Sequence, residues 1–166
     1  MGPAAASGTA TTGSRDPLAR DAPRLLPLTA LPEGLGVLRA EAAAEGFRFV
    51  ERLVAAGAAG FGGPGELLLG AFLGDELVAI GGLNRDPYVG DPGTARLRHL
   101  YVRPGFRRRG IASAIVQQLL GEAGENVRLV RLRTDTAAGA AFYRRHGFTP
   151  VRDAQATHVL PLQRPR

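Results

Sequence analysis

Residues 97–112 read LRHLYVRPGFRRRGIA, in the order of a β-strand, a basic turn and the start of a helix. Ala95 to Val102 is rich in strand-forming residues, and Arg103-Pro104-Gly105 ends that run. From Gly110 to Leu120 the apolar residues fall four apart, which predicts an amphipathic helix. The first turn of a helix has unpaired N–H groups and a partial positive charge. Because three arginines precede this helix, the stretch predicts a site for a phosphate or pyrophosphate group.

The rest of the chain alternates predicted strands and helices around this stretch. The predicted strands are Arg24–Leu28, Glu66–Phe72, Glu76–Asn84, Ala95–Val102, Val127–Leu132, Thr149–Arg152 and His158–Leu162. The predicted helices are Pro32–Ala44, Phe49–Ala58, Gly110–Leu120 and Ala137–Arg145. This order predicts one mixed sheet covered by helices, an α/β or α+β domain spanning residues 24–166. Residues 1–23 are mostly Ala, Gly, Ser, Thr and Pro, which predicts a disordered tail.

The composition excludes several classes of protein. No apolar run approaches the roughly 20 residues of a membrane span, and the N-terminus lacks the pattern of a secretory signal. We therefore expect no membrane partner and a cytoplasmic location. The absence of cysteine excludes disulfides, thiolate metal sites and an acyl-cysteine intermediate. Three scattered histidines give no recognisable metal site, and the absence of lysine excludes a Walker phosphate loop.

Charge divides the chain into two parts. All 21 basic residues are arginine. Residues 24–95 hold five arginines against nine acidic residues, whereas residues 96–166 hold fourteen against four. A basic half attracts polyanions such as nucleic acid, but also a small polyphosphate cofactor. Aromatic residues make up only 6% of the chain, and no helix-turn-helix or RNA-binding pattern is present, so we expect no nucleic-acid partner.

Two motifs in order resemble a known family. Arg107-x-x-Gly110-x-Ala112 is similar to the phosphate loop of the GNAT superfamily of N-acetyltransferases, which reads Gln/Arg-x-x-Gly-x-Gly/Ala. Downstream, the segment AFYRRHGF at residues 141–148 resembles the family's tyrosine-bearing helix followed by Gly-Phe. The resemblance covers roughly residues 24–162. It implies a mainly antiparallel mixed sheet of about six to seven strands, about four flanking helices, and a splay between strands four and five.

The resemblance also implies a function. A member of this superfamily would transfer an acetyl group from acetyl-CoA to a primary amine by direct attack in a ternary complex, without a metal. The acceptor would be a small-molecule or peptide amine; an antibiotic, a polyamine, an amino acid and a protein N-terminus all stay open. Homodimers are common in the superfamily, so a homodimer is one assembly that the resemblance implies. Two alternatives are a non-catalytic acyl-CoA-binding sensor of the same fold and a basic nucleic-acid-binding protein.

Roles for individual residues follow from the matching positions. The pantetheine arm would lie against Leu100, Tyr101 and Val102, where a backbone N–H would hold the developing oxyanion. Tyr143 would act as the general acid that protonates the CoA thiolate. Thr136 occupies the position where many members have asparagine, and its hydroxyl would bond the pantetheine or a backbone group. The residues expected to hold the pyrophosphate are Arg107, Arg108, Arg109, Gly110, Ile111 and Ala112.

The general base stays open. By strand alternation His99 shares a face with Leu97 and Tyr101, close to the expected reaction centre. Neutral histidine accepts protons near pH 7, so His99 is one candidate for the base. Glutamates of the first half and a chain of water molecules are the alternatives.

The acceptor site is expected in the first half of the chain. Its predicted parts are the Phe49–Ala58 helix, Asn84 at the end of a strand, and the surface loop Asp86–Thr94. The net negative charge of residues 24–95 would suit a cationic amine.

Overall fold

The computed structural model of the chain describes residues 22–163. The predicted disordered tail lies outside this range except for its last two residues. The strands are β1 (Arg24–Pro27), β2 (Leu67–Leu73), β3 (Glu76–Arg85), β4 (Thr94–Val102), β5 (Leu129–Leu132), β6 (Thr149–Pro150) and β7 (His158–Pro161). The α-helices are α1 (Leu35–Ala44), α2 (Phe49–Ala56), α3 (Ile111–Glu122) and α4 (Ala137–Arg145). Short 3-10 turns span Ala59–Phe61 and Pro104–Phe106.

All seven of these strands belong to one sheet, in the order β1-β2-β3-β4-β5-β7-β6. Neighbouring strands run antiparallel except β4 and β5, which are parallel. The predicted fold class is therefore confirmed, including the number of strands and helices. Within residues 22–163, no helix combines the length and the apolar character needed to cross a bilayer.

Helices cover both faces of the sheet and divide the core in two. On the α3/α4 face, Ile111, Ile115 and Leu119 of α3 pack against β2 to β5 together with Tyr143 and Phe148. The opposite face has its own cluster, built by α1 and α2. Its buried members are Leu35, Leu38, Ala42, Val50, Leu53, Phe61, Leu68, Leu77, Ile80 and Tyr101. The spacing of the apolar residues places each helix on the sheet, because residues three and four apart share one helical face.

Strands β4 and β5 separate shortly after they begin to pair. Thr94, Ala95 and Arg96 pair with Leu129, Val130 and Arg131, and the pairing stops there. Along the remaining two thirds of β4, from Leu97 to Val102, no strand of the described chain pairs on that side. The predicted splay between the fourth and fifth strands is thus present.

A β-bulge interrupts β4 in this separated part. Ile80 pairs with Tyr101 and Gly82 with Arg98, so His99 and Leu100 together face one residue of β3. His99 has a φ of +59°, a left-handed conformation that is uncommon for residues other than glycine. The extra residue shifts the alternation of side chains along the strand.

The shift corrects one sequence prediction. Leu97 packs in the α3/α4 cluster, whereas Tyr101 packs in the α1/α2 cluster. The prediction that His99 shares a face with both residues is therefore wrong for Leu97. Side chains do not alternate strictly along β4, because the bulge sets two of its residues, His99 and Leu100, opposite one residue of β3.

The predicted surface loop also contains a deeply buried carboxylate. Asp86 is only 1% exposed, and its Oδ2 atom lies 3.5 Å from Arg96 and 3.6 Å from Arg131. Arg131 also donates to Asp153 at 2.8 Å. Because Arg96 and Arg131 form the last paired rung of β4 and β5, this ion cluster joins the strands just before they separate.

Candidate active site

A cavity of about 600 Å³ opens where β4 and β5 separate. Both faces of the sheet contribute to its wall. Phe47, Phe49 and Tyr101 line it from the α1/α2 side, and Ile111 and Tyr143 line it from the α3/α4 side. Of the residues predicted to act in the site, those that line the cavity are His99, Leu100, Tyr101, Val102, Arg107, Arg108, Gly110, Ile111, Ala112, Thr136 and Tyr143. Arg109 does not line it; its guanidinium lies over the Phe106 ring, 5.4 Å from the centroid.

The turn before α3 presents a row of backbone donors. The first helical N–H with an acceptor is that of Ala114, which donates to the Gly110 carbonyl at 3.0 Å. Within residues 22–163, the N–H groups from Arg108 to Ser113 have no hydrogen-bond acceptor. Arg107 N–H donates to the Pro104 carbonyl at 3.4 Å, so the row of free donors begins one residue later than predicted. Such a row at the positive end of a helix dipole binds anions.

Left-handed backbone gives this turn its shape. Arg108 and Gly110 have φ values of +64° and +76°. A Cβ atom at Gly110 would meet no atom within 4 Å, so the site has open space but demands a conformation that favours glycine. Gly110 therefore leaves its N–H and the helix start accessible to a ligand.

The Arg107 side chain anchors the turn instead of lying free in the cavity. Its guanidinium donates two hydrogen bonds of 2.7 Å to Glu45, just after α1, and its Nε donates to the Val102 carbonyl at 3.0 Å. Tyr101 donates to the same carboxylate at 2.7 Å. The Arg107 hydrogen bonds hold the pKa of Glu45 below its usual value. The cluster fixes the turn relative to β4 and α1.

Tyr143 combines a buried ring with an available hydroxyl. The residue is 9% exposed, and its ring lies edge-on to Phe142 and Phe148 at 5.1 and 5.6 Å. In the described part of the chain its hydroxyl has no hydrogen-bond partner, and the residue lines the cavity. Burial raises the pKa of Tyr143, which keeps the hydroxyl protonated and able to donate.

Thr136 caps the helix that carries Tyr143. Its Oγ1 atom accepts a hydrogen bond from the Gly139 N–H at 3.0 Å, a typical N-cap contact. Gly139 lies so close to Thr134 that a Cβ atom would overlap the Thr134 hydroxyl. The Thr136 side chain thus makes the backbone contact that was one of the two predicted alternatives, and it sets the start of α4 beside the cavity.

His99 is held by a backbone group of α2. Its Nδ1 lies 2.8 Å from the Phe49 carbonyl oxygen, which can only accept, so Nδ1 carries the proton. The Nε2 atom is then left as an acceptor in the neutral ring. Burial, and next the charge of Arg98, lower the pKa of His99 to about 4. The ring is neutral near pH 7 but is a weaker base than an ordinary histidine.

No carboxylate of residues 24–95 lines the large cavity, and of the three predicted parts of the acceptor site only the Phe49–Ala58 helix reaches it, through Phe49. From residues 24–95 only Phe47 and Phe49 line the large cavity, while Asn84 and Thr94 line a separate cavity of about 320 Å³. Most acidic side chains of this half are engaged elsewhere: Glu41 and Glu76 with Arg103, Glu45 with Arg107, Glu51 with Arg39, Asp86 with Arg96, and Asp91 with Arg128. The net charge of residues 24–95 did not predict the charge of the cavity wall, because most carboxylates of this half form ion pairs with arginines elsewhere in the fold.

Several residues of the site carry no signal that sequence analysis could use. Ser113 Oγ lies 2.9 Å from His146 Nε2, and this contact links the last residue of the donor row to the end of α4. Glu45 and Phe47 reach the site from a connection far away in sequence. Only the position of His146 next to the Gly-Phe motif could have drawn attention to it.

Comparison with known proteins agrees with this geometry. A family model described as the acetyltransferase (GNAT) domain matches residues 64–150, just over half of the chain. The chain belongs to the GNAT acetyltransferase family. Members of this family are generally acyl-CoA-dependent acyltransferases. A search of curated protein sequences gave no match.

Solved structures share the GNAT fold over most of their length. A protein from Exiguobacterium sp. 255-15 assigned to the acetyltransferases superposes with a TM-score of 0.74 at 27% identity, covering 84% of this chain and 93% of that one. The ribosomal-protein-S18-alanine N-acetyltransferase of Escherichia coli gives 0.62 at 19% identity, with 87% and 96% covered. A Bacillus subtilis acetyltransferase in complex with CoA gives 0.57 at 14% identity, with 85% and 99% covered. The last two matches show the fold alone.

Proposed function

We propose that this GNAT protein transfers an acetyl group from acetyl-CoA to a primary amine by direct attack in a ternary complex. The observation that carries the proposal is the cavity at the separation of β4 and β5. There a row of free N–H groups, an unpaired strand edge and the Tyr143 hydroxyl meet in one space. This combination matches the three parts of acyl-CoA: pyrophosphate, amide-rich pantetheine arm and thioester.

The donor would be held mainly by backbone groups. The pyrophosphate lies on the N–H groups from Arg108 to Ser113, where the helix dipole also favours negative charge. Arg108 supplies further positive charge at the rim of the cavity. The pantetheine amides lie along the unpaired edge from Leu100 to Val102, as an added strand would. Arg109 contributes through its backbone and its charge, since its side chain lies outside the cavity.

The reaction needs no covalent enzyme intermediate. The amine nitrogen forms a bond to the thioester carbon, the carbon–sulfur bond breaks, and its electron pair goes to sulfur. The nitrogen loses one proton and the sulfur gains one, so an N-acetyl amide and CoA thiol result. Tyr143 donates the proton to sulfur and then regains one from solvent, and a backbone N–H near the β4 bulge stabilises the oxyanion.

His99 takes part as a hydrogen-bond acceptor. Its Nε2 accepts from the incoming amine and orients the lone pair toward the thioester. With a pKa of about 4, His99 does not hold the amine's proton near neutral pH, so the proton passes to water. This role modifies the predicted general base. Cytoplasmic location and a homodimeric state stay predictions.

A thiol-release assay tests the proposed function. The full chain is incubated with acetyl-CoA and a panel of primary amines, and free CoA is measured with a thiol reagent. Amine-dependent release, with the acetylated amine found by mass spectrometry, supports the proposal. Tight CoA binding without turnover on any amine would instead indicate an acyl-CoA sensor. No CoA binding, together with salt-sensitive binding of nucleic acid, would indicate the third alternative.

A further inference from the structure

Arg98 is a half-buried arginine of the cavity wall that lacks an anionic partner. Two other arginines of the wall are paired, Arg107 with Glu45 and Arg133 with Asp135, and the remaining two, Arg108 and Arg145, are exposed. Arg98 makes no ion pair and no side-chain hydrogen bond with any residue in the range 22–163. Removing a guanidinium from water without a partner is unfavourable, so such a group binds an anion readily.

The side chain of Arg98 lies on the face opposite the phosphate-binding turn. Arg98 pairs with Gly82, and paired residues of an antiparallel ladder share a face. A Cβ atom at Gly82 would contact the Phe61 ring, which belongs to the α1/α2 cluster. Helix α3 and its row of N–H donors cover the other face. Arg98 is therefore placed away from the groups proposed to hold the CoA phosphates.

The surroundings of Arg98 form one side of the expected reaction centre. His99 follows it in the bulge, and Phe49 binds the His99 ring through its carbonyl. The charges of both Arg98 and Arg52 act on His99, and no carboxylate of residues 24–95 lines the cavity to offset them. On this side Arg98 gives the cavity wall a positive charge, and Phe47 and Phe49 form an aromatic border.

We propose that the acceptor is an amine that also bears a carboxylate, as in an amino acid, and that Arg98 binds this carboxylate. A guanidinium presents two parallel N–H groups that match the two oxygens of a carboxylate. With the carboxylate on Arg98, the amine lies beside His99 and faces the thioester. This assignment rests on the proposed acetyl transfer and names the substrate class of the same site.

The test compares amino acids with their C-terminal amides, which keep the amine but lose the negative charge. Phenylalanine, leucine and alanine are each paired with their amide, with acetyl-CoA as donor, and rates are corrected for the fraction of unprotonated amine. Arg98→Gln is compared with wild type and with Arg85→Gln, which changes an exposed arginine at the end of β3 that forms no ion pair within residues 22–163. Arg98→Lys keeps the charge but loses the paired donors. Thermal unfolding checks that each variant folds.

The expected effect of losing the Arg98 guanidinium is selective. Wild type prefers the acids, and Arg98→Gln lowers kcat/KM for them about tenfold to a hundredfold, as for loss of a hydrogen bond to a charged group. Rates with the amides stay unchanged, Arg98→Lys is intermediate, and Arg85→Gln matches wild type. Equal losses for acids and amides, or a wild type that prefers amides, would overturn the inference alone.

A second acyl donor, succinyl-CoA, shows whether Arg98 binds a carboxylate of the acceptor or a carboxylate of the acyl group. If Arg98→Gln loses activity only with succinyl-CoA and not with acetyl-CoA, Arg98 recognises a carboxylate on the acyl group, and the inference is wrong. If wild type acetylates other amines of the panel but none of these acids or amides, the inference alone is wrong. If it binds CoA but acetylates no amine at all, the proposed function itself fails, and the inference fails with it. If wild type acetylates the amides and Arg98→Gln changes no rate, the inference is wrong but the proposed function stands.

Discussion

The two sides of the cavity are built in different ways. The α3/α4 side offers the backbone groups of one continuous segment, from Arg108 to Ser113. It also offers Tyr143, which lies on α4, the next helix along the chain. The α1/α2 side offers side chains from distant segments, among them Phe47, Phe49 and Arg98. A backbone site needs a turn of fixed conformation, and such a turn leaves a pattern in the sequence. A site made of distant side chains leaves none.

The largest expected effect comes from Tyr143→Phe on the donor side. Loss of the proton donor should lower kcat about 10²- to 10⁴-fold, the usual range for a general acid. CoA affinity and thermal stability should hardly change, because the hydroxyl makes no hydrogen bond within residues 22–163. Thiol-release kinetics and calorimetric titration with CoA measure the two quantities. Tyr88→Phe, at an exposed tyrosine, is the matched control. Full activity in Tyr143→Phe would remove this residue from the mechanism.

A smaller loss is expected when the backbone of the turn is strained. Gly110→Val forces a β-branched residue to a φ of +76°, which costs about 1–2 kcal/mol or more. Because the strained turn positions the donor row, CoA should bind about tenfold more weakly. Gly121→Ala adds a methyl group in open space on the same helix and should raise stability by about 0.5–1 kcal/mol without affecting CoA. Unchanged CoA affinity in Gly110→Val would show that the turn does not bind the donor.

On the acceptor side, a modest effect is expected from His99→Asn. The asparagine amide can still donate to the Phe49 carbonyl, but it lacks the Nε2 acceptor. Loss of one hydrogen bond to the amine should lower kcat/KM roughly two- to tenfold. The pH profile of wild type should show no inflection for this histidine between pH 6 and 7, since its pKa is about 4. A loss beyond a hundredfold, with the fold intact, would identify His99 as the general base.

The smallest expected effect is on the free energy of unfolding, and it comes from the ion pair between Glu45 and Arg107 that joins the two sides of the cavity. The pKa of Glu45 is lowered by Arg107, so its ion pair stabilises the fold above the ordinary carboxyl pKa of about 4.5. This stabilisation is lost as the pH falls through the lowered pKa of the folded state. Glu45→Gln should therefore reduce the free energy of unfolding by up to about 1 kcal/mol at pH 7, and by less at pH 3. Urea unfolding measures both values, with Glu33→Gln as an exposed control. Equal losses at the two pH values would mean that the charge of Glu45 is not involved.

Prediction from sequence succeeded where local patterns determine structure. The apolar residues spaced four apart after Gly110 lie in α3, and β4 ends at Val102, directly before the Arg103-Pro104-Gly105 segment that was predicted to end it. The phosphate turn was also found, shifted by one residue. These features depend on neighbours within a few positions, so a single sequence contains the information.

What the sequence did not reveal depends on contacts between distant residues. The bulge at His99 arises in the pairing of β4 with β3, and it reverses the face on which side chains such as Tyr101 point. The burial of Asp86 requires two arginines from different strands. The charge of the acceptor side depends on which carboxylates are already paired, as Glu45 is with Arg107. None of these outcomes follows from the residues near each position.

The central claim is that the α3/α4 side binds the donor through its backbone, and the most direct measurement is an NMR titration of ¹⁵N-labelled protein with CoA. The amide signals from Arg108 to Ser113 and from Leu100 to Val102 should shift most. Signals of α1, β1 and β2 should move little. Saturable binding that leaves the 108–113 amides unmoved would contradict the claim, and so would the absence of CoA binding.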